Sequence, residues 1–274
     1  MTKIMGKRIL ITGGSRGLGP VIAEALAERG AHIALAARSE EGLHGVVQSL
    51  SKYAVQTLAV PVDLAQESQQ QALVSTVLEK FGGVDILINN AGIETEGAYL
   101  DLDWAAIREN IEVNLLAPMA LTHQVLPYML KQKQGHIVNI ASIAAKSGGP
   151  YAATYSGAKA GLAEWTRGLR LELAGTGVHF STIFSGYITQ VGMFARFNLK
   201  PPPLVGSCTP SQVTKAVVRA IEKESLEVIV NSVPLRVDFM LNELSPSIGD
   251  WLMHKSGSVD FQRRKVSHLN QASS

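Results

Sequence analysis

The chain has 274 residues, 46% of them hydrophobic and 18% charged, which suits a buried core of one large domain or two small ones and excludes a disordered chain. A net charge of +2 with acids and bases interspersed gives no reason to expect nucleic acid. No apolar run approaches the roughly 18 residues that cross a bilayer, and Lys3, Lys7 and Arg8 are followed only by the short stretch Ile9 to Ile11 and then glycines, so the N-terminus reads as a first strand rather than a signal peptide. Cys208 is the only cysteine, so no internal disulfide can form, and a cytoplasmic protein is expected.

Short β-branched runs alternate with helical patterns. The first strand is read at Arg8 to Thr12, followed by a helix near 18–29. Strands at His32 to Ala36 and Thr57 to Pro61 flank a helix near 41–52. A helix near 67–80 precedes a strand at Ile86 to Asn89. One long helix is expected near 103–130, then a strand at His136 to Ile140 and a helix near 153–174. The strand His179 to Phe184, a helix near 211–223 and the strand Glu227 to Val230 complete the series. Alternation of this kind specifies a parallel sheet, here of seven strands, with helices on both faces: a doubly wound α/β fold of the Rossmann type. The breaker-rich stretch Lys200 to Pro210 reads as a loop within the domain, ending in Thr209-Pro210-Ser211-Gln212, a capping box with proline at the first helical position.

Thr12-Gly13-Gly14-Ser15-Arg16-Gly17-Leu18-Gly19 links the first strand to the first helix. Glycine allows a tight turn and a close backbone approach, and a helix N-terminus offers free N–H groups to phosphates. A dinucleotide site is therefore expected. The spacing Gly-x-x-x-Gly-x-Gly, with Asn89-Asn90-Ala91-Gly92, Ser142 and Tyr155-x-x-x-Lys159 following in order, resembles the short-chain dehydrogenase/reductase family in its single-domain branch. The match runs from about residue 5 to about 232. The resemblance implies that Gly13, Ser15, Arg16, Gly17, Leu18 and Gly19 cradle the cofactor and that Asp63 and Leu64 contact its adenine. It places Asn90, Ala91, Gly92 and Ile188 along the cofactor cleft, Lys159 on the nicotinamide ribose beside Tyr155, and Asn114 in the catalytic group with Ser142, Tyr155 and Lys159. A homodimer or homotetramer is also implied. One motif departs from the family: Ser185-Gly186-Tyr187-Ile188-Thr189-Gln190 stands where Pro-Gly with a threonine four residues on is usual, so Ser185 replaces the proline and Gln190 the threonine.

The chemistry suits these residue types. Tyr155 and Lys159 lie one turn apart on a helix and share a face. An ammonium near a phenol lowers its pKa, so Tyr155 is expected to act as general acid in carbonyl reduction and general base in alcohol oxidation. Ser142 follows a strand at the carboxyl end, where open α/β sheets bind ligands, and its hydroxyl suits the substrate oxygen. Pro118 cannot bond the Asn114 carbonyl, so a kink is expected there, and a water on that carbonyl would link Lys159 to solvent. Tyr151 falls near the site, either as packing or as a substrate contact. His123, His136 and His179 lack metal-ligand spacing and read as surface residues; no metal is expected.

The second strand ends at Ala37 with Arg38 next, where enzymes preferring NAD place an acid. Alanine does not repel a 2′-phosphate, and Arg38 with Arg16 can meet it, so NADP(H) is expected over NAD(H). The reading is an NADP(H)-dependent oxidoreductase interconverting a carbonyl and an alcohol. The apolar loop Tyr187 to Cys208, with Met193, Phe194, Phe197 and Leu199, points to a lipophilic substrate, a steroid-like, fatty or aromatic ketone, or equally to core packing under a lid. A cofactor-binding regulator or scaffold without chemistry is the alternative class, and a sugar-nucleotide epimerase or dehydratase a third. The domain is expected over 1–232, with 233–274 a helical extension rather than an independent domain. In that extension Val237, Met240, Leu241, Leu244, Ile248, Trp251 and Leu252 form one stripe, split or kinked by Pro246. It is read as packing on the domain or a neighbouring subunit, or as lying on a membrane surface with help from the basic Arg263-Arg264-Lys265, and either arrangement allows it to cover the substrate cleft.

Overall fold

A computed structural model describes residues 3–197 and 199–272. Among them a seven-stranded, all-parallel sheet runs in the order β3-β2-β1-β4-β5-β6-β7. Its strands are β1 Arg8–Thr12, β2 His32–Ala37, β3 Thr57–Pro61, β4 Ile86–Asn89, β5 Gly135–Ser142, β6 Val178–Ser185 and β7 Glu227–Val230. Helices α1 Leu18–Ala27, α2 Glu40–Leu50 and α3 Glu67–Phe81 join the first strands. Helices α4 Trp104–Ile111 and α5 Ala117–Gln132 connect β4 to β5. The short α6 Ala144–Ser147 and the long α7 Ala153–Glu172 connect β5 to β6. The short α8 Gly192–Ala195 and then α9 Pro210–Lys223 lead to β7, and α10 Arg236–Leu244, α11 Pro246–Lys255 and α12 Ser258–Ala272 follow it.

The reversal of strand order lies between β1 and β4, the point at which doubly wound sheets open a crevice at their carboxyl ends. Both faces of the sheet are covered. Ile9, Ile11, Ile33 and Leu35 pack with α1, α2 and α9 on one side; Leu10, Leu87 and Ile137 pack with α3 and α5 on the other. This two-sided burial explains why the strands read as continuous apolar runs rather than alternating ones. The capping box forms: Gln212 N–H donates to the Thr209 hydroxyl at 3.2 Å, and Thr209 N–H donates to the Gln212 side chain at 2.8 Å.

Two expectations, those for His136 and Lys265, need correction, and two others gain detail. The helix expected over 103–130 is broken by a π-helical turn at Glu112–Leu116, where Ala117 N–H donates to the Glu112 carbonyl. Pro118 has no N–H for the Asn114 carbonyl, and the chain meets that loss with a widened turn. His136 is not at the surface but fully buried on β5, its Nε2 2.8 Å from the Ser181 hydroxyl; burial lowers its pKa to about 3, so it stays neutral. The C-terminal stripe divides at Ser245 into α10 and α11, as Pro246 requires, but much of it is not buried in the chain: Val237 and Met240 are 63% exposed and Leu244 80%. Finally, Lys265 is not part of a basic surface. It is 1% exposed and turned inward.

At the far end of the sheet Arg8 forks onto Asp85, with Nε and Nη2 donating to its two carboxylate oxygens at 2.8 and 2.7 Å, while Arg8 N–H adds a third bond at 2.9 Å. Burial opposes charge on Asp85, but these bonds outweigh it and hold the carboxyl below its usual range. A depressed folded pKa stabilises above the unfolded value and is lost as pH falls through the folded one. Asp85→Asn is expected to cost about 2 kcal/mol at pH 7 in urea unfolding, with the deficit shrinking below about pH 4 as the wild-type carboxyl loses its charge. A deficit that stays constant down to pH 2 contradicts this account.

Candidate active site

The carboxyl ends of β1, β4, β5 and β6 open into one cleft of about 1190 Å³. Its phosphate end is the turn after β1. Gly13 has φ +68°, and a Cβ there would come within 2.9 Å of Ala91 Cα; at Gly19 a Cβ would collide with the Gly13 carbonyl. The turn is thus a cradle that side chains would fill, closed against α1 so that the helix N-terminus faces the cleft. Thr12 and Asn90 stitch the turn to the end of β4. The Thr12 hydroxyl accepts from Asn90 and Ala91 N–H, each at 3.0 Å, and the Asn90 amide donates to the Thr12 carbonyl at 2.9 Å.

Gly13, Ser15, Arg16, Gly17, Leu18, Arg38, Asp63, Leu64, Asn90, Ala91, Gly92 and Ile188 all line the cleft, as do Ser142, Tyr155 and Lys159. Gly19 does not line it but packs beneath the turn. At the outer end, Ala37 closes β2 and no acid stands at that position. Arg38 is exposed and makes a loose ion pair with Glu109 at 3.5 Å, a contact weak enough to yield to a bound anion.

Helix α7 is set on β5 by buried polar bonds. Lys159 Nζ donates to the Ile140 carbonyl at 3.0 Å. Further along, the Asn139 amide donates to the Thr166 hydroxyl at 2.8 Å and itself accepts from Asn89 at 2.8 Å. These bonds fix the rotation of α7, which turns Tyr155 and Lys159 inward together. The Tyr155 hydroxyl is thereby turned toward Ser142 at the end of β5, near enough for the serine to favour loss of its proton. Burial pushes the Tyr155 phenol above its ordinary pKa, reinforced by the charges of Glu94 and Glu96 and opposed by Ser142. Burial also lowers Lys159 to about 8. The expected depression of the phenol by Lys159 is therefore corrected. The ammonium lies 5.9 Å from the ring centroid and spends its bond on Ile140, so in this arrangement desolvation dominates.

Asn114 is buried in the π turn behind the cleft rather than on its wall. Its amide donates to the Ile93 carbonyl at 2.8 Å and to Asn110 at 3.0 Å, and its oxygen accepts from Ile93 N–H at 3.3 Å. It holds the loop after β4. A Cβ at Gly92 would stand 2.8 Å from Asn114 Oδ1 and 3.5 Å from Lys159 Nζ, so Gly92 leaves the gap between the two open. Thr189 does not stand in for the missing threonine, because its hydroxyl bonds the Cys208 carbonyl at 3.3 Å and the side chain does not line the cleft. Tyr151 is likewise outside the lining; its hydroxyl accepts from Arg263 Nε at 3.0 Å. The Cys208 thiol is raised to about 11 by burial and is unreactive.

The substrate half of the cleft contains residues that the motifs did not reveal. Met193, Leu204, Phe239, Trp251 and Leu252 supply apolar walls, with Glu94, Glu96 and Lys265 among them. Phe194 and Phe197 pack beside Lys265 and Phe261 rather than standing free as loop side chains.

Comparison with known proteins agrees with this geometry. The family model described as short chain dehydrogenase matches residues 7–201. The chain is 40% identical over 271 residues to the ketoacyl reductase HetN of Nostoc sp., covering 97% of this chain and 94% of that protein. It is 36% identical over 205 residues to a 3-oxoacyl-[acyl-carrier-protein] reductase of Synechocystis sp., covering 73% and 81%. Among solved structures it resembles a variant of the actinorhodin polyketide ketoreductase with NADPH, at TM-score 0.77 and 30% identity over 86% of this chain and 98% of that one. It also resembles a metagenomic short-chain oxidoreductase in complex with NADP, at TM-score 0.71 and 28% identity over 83% and 98%. The chain belongs to the short-chain dehydrogenase/reductase family and is an oxidoreductase of the Rossmann type.

Proposed function

We propose that the protein is an NADPH-dependent ketoreductase acting on a lipophilic ketone. The observation that carries this reading is the burial of Tyr155 and Lys159 in the same cleft as the glycine turn, with Ser142 lining it beside them. The dinucleotide would be held by the turn from Gly13 to Gly19, by Asp63 and Leu64 and by the segment Asn90 to Gly92, with Arg16 and Arg38 on its 2′-phosphate. When bound it supplies the hydride. Ser142 holds the substrate oxygen and steadies its developing charge. Tyr155, whose burial favours the protonated phenol, delivers the proton to that oxygen in reduction and takes it back in oxidation. Lys159, buried in the cleft beside Tyr155, would hold the ribose. Asn114 acts behind them, holding the Ile93 segment in place.

The lipophilic substrate is supported by the apolar mouth formed by Met193, Leu204, Phe239, Trp251 and Leu252. The names of the ketoacyl and polyketide reductases that this chain resembles agree with it. A ketone on an extended acyl or polyketide-like chain is the proposed class.

Tyr155→Phe is expected to lower turnover of such a ketone about 100-fold or more while leaving cofactor affinity nearly intact, because only the proton donor is lost. Steady-state absorbance of NADPH and a fluorescence titration read the two effects. A variant retaining more than about a tenth of the activity overturns the assignment. The double change Ala37→Asp with Arg38→Ile is expected to reverse the preference toward NAD, since the acid repels a 2′-phosphate and bonds the ribose hydroxyls. Calorimetry of both cofactors on both proteins measures this, and equal affinity of the unaltered protein for NAD and NADP contradicts it.

A further inference from the structure

Lys265 lies on α12, far along the chain from the family motifs, yet its side chain is 1% exposed. Its ammonium donates to Glu96 Oε1 at 2.6 Å and to Glu94 Oε2 at 3.5 Å. Glu96 is itself only 3% exposed. The ammonium also lies over the rings of Phe197 at 4.7 Å, Phe194 at 5.6 Å and Tyr187 at 5.7 Å. Two carboxylates come from the loop after β4 and three rings from the segment after β6. Both segments line the substrate half of the cleft, and one lysine from a third element binds them together.

We propose that Lys265 is a positioning residue that fixes α12 as the end wall of the substrate cleft, and so sets which ketones the enzyme accepts. This rests on the ketoreductase reading above. A lysine enclosed in apolar rings is costly unless its charge is met. Here two acids and three aromatic faces meet it, so α12 has one low-energy register on the cleft. Neighbouring residues of α12 agree. Phe261, one turn earlier, is buried against Tyr187 and Phe194, and Arg263 reaches Tyr151 from the flank. Without Lys265 the charges of Glu94 and Glu96 face each other beneath α12 with only the weaker influence of Arg196 to offset them, and push the wall open.

The arrangement predicts that the cost lies in the unpaired acids and not in the lost methylenes. Three variants separate these: Lys265→Met, Lys265→Arg, and Lys265→Met combined with Glu94→Gln and Glu96→Gln. Hydrogen exchange of the holoprotein with NADPH is followed over residues 258–268. Lys265→Met is expected to exchange at least about tenfold faster there, and the triple variant to return most of that protection. Lys265→Arg, which keeps the charge, is expected to lie near the unaltered protein. If Lys265→Met aggregates while the triple variant stays soluble, the charge explanation stands; if both aggregate, or if exchange in Lys265→Met is unchanged, or if the triple variant exchanges no more slowly than Lys265→Met, the proposal is overturned.

A panel of ketones of graded bulk supplies the second readout. In Lys265→Met the KM for the ketone best used by the unaltered protein should rise several-fold, and bulkier ketones should gain relative to it. Affinity for NADPH should stay within about twofold, because α12 borders the substrate half and not the phosphate turn. An unchanged order of preference overturns the specificity claim. If the unaltered protein reduces no ketone, the functional reading fails, while hydrogen exchange still decides whether Lys265 anchors the wall.

Discussion

The bond from Lys159 to the Ile140 carbonyl is the constraint on which the rest of the site depends. A buried ammonium must find an acceptor, and the acceptor available is the backbone of β5, the strand that ends at Ser142. Meeting that need seats α7 on β5 at one rotation. Tyr155, one turn earlier on the helix, is then carried to Ser142 without any further adjustment. The Asn139–Thr166 bond repeats the fastening farther along the same helix. Buried polar bonds of this kind, made in a dry setting, favour one arrangement of helix on strand.

The same economy appears on the cofactor side. Thr12 takes two backbone N–H groups from the end of β4, and Asn90 returns a bond to the end of β1. The two strands that flank the reversal in strand order are thus tied at their tips, where the crevice opens. The absence of side chains at Gly13 and Gly92 keeps that crevice clear, and the neutral end of β2 at Ala37 leaves Arg38 to decide the sign of the field at its outer end.

Much of this was legible in the sequence because it is local. Strand positions followed from apolar runs, and β1, β3, β4 and β7 have the bounds expected for them. The glycine turn, Ser142 and the Tyr155–Lys159 pair were legible as spaced motifs, and the fold brings them into one cleft. What was not legible depends on contacts between distant segments. His136 reads as a polar residue in a strand, and only its pairing with Ser181 of β6 explains its burial. The direction of the Tyr155 shift was misread because spacing reports a neighbouring charge but not the loss of water around it. Lys265 was misread because Arg263-Arg264-Lys265 looks like a basic cluster. The helical spacing of Ser258, Phe261, Gln262, Lys265 and Val266, all buried, carried the opposite signal. Nothing near Lys265 in sequence announces Glu94 and Glu96, which come from the loop after β4.

The central claim is that this cleft brings a ketone and a nicotinamide together under Tyr155. It is tested most directly by following the hydride itself. NADPH carrying deuterium at the transferable position of C4 is supplied with the ketone that is turned over best, and the alcohol is examined by mass spectrometry and NMR. The account predicts one deuterium on the carbinol carbon of the product, and only a small amount of equally labelled alcohol from Tyr155→Phe. Alcohol formed without deuterium at that carbon, or an unaltered protein that binds NADPH and transfers nothing to any ketone, would contradict it.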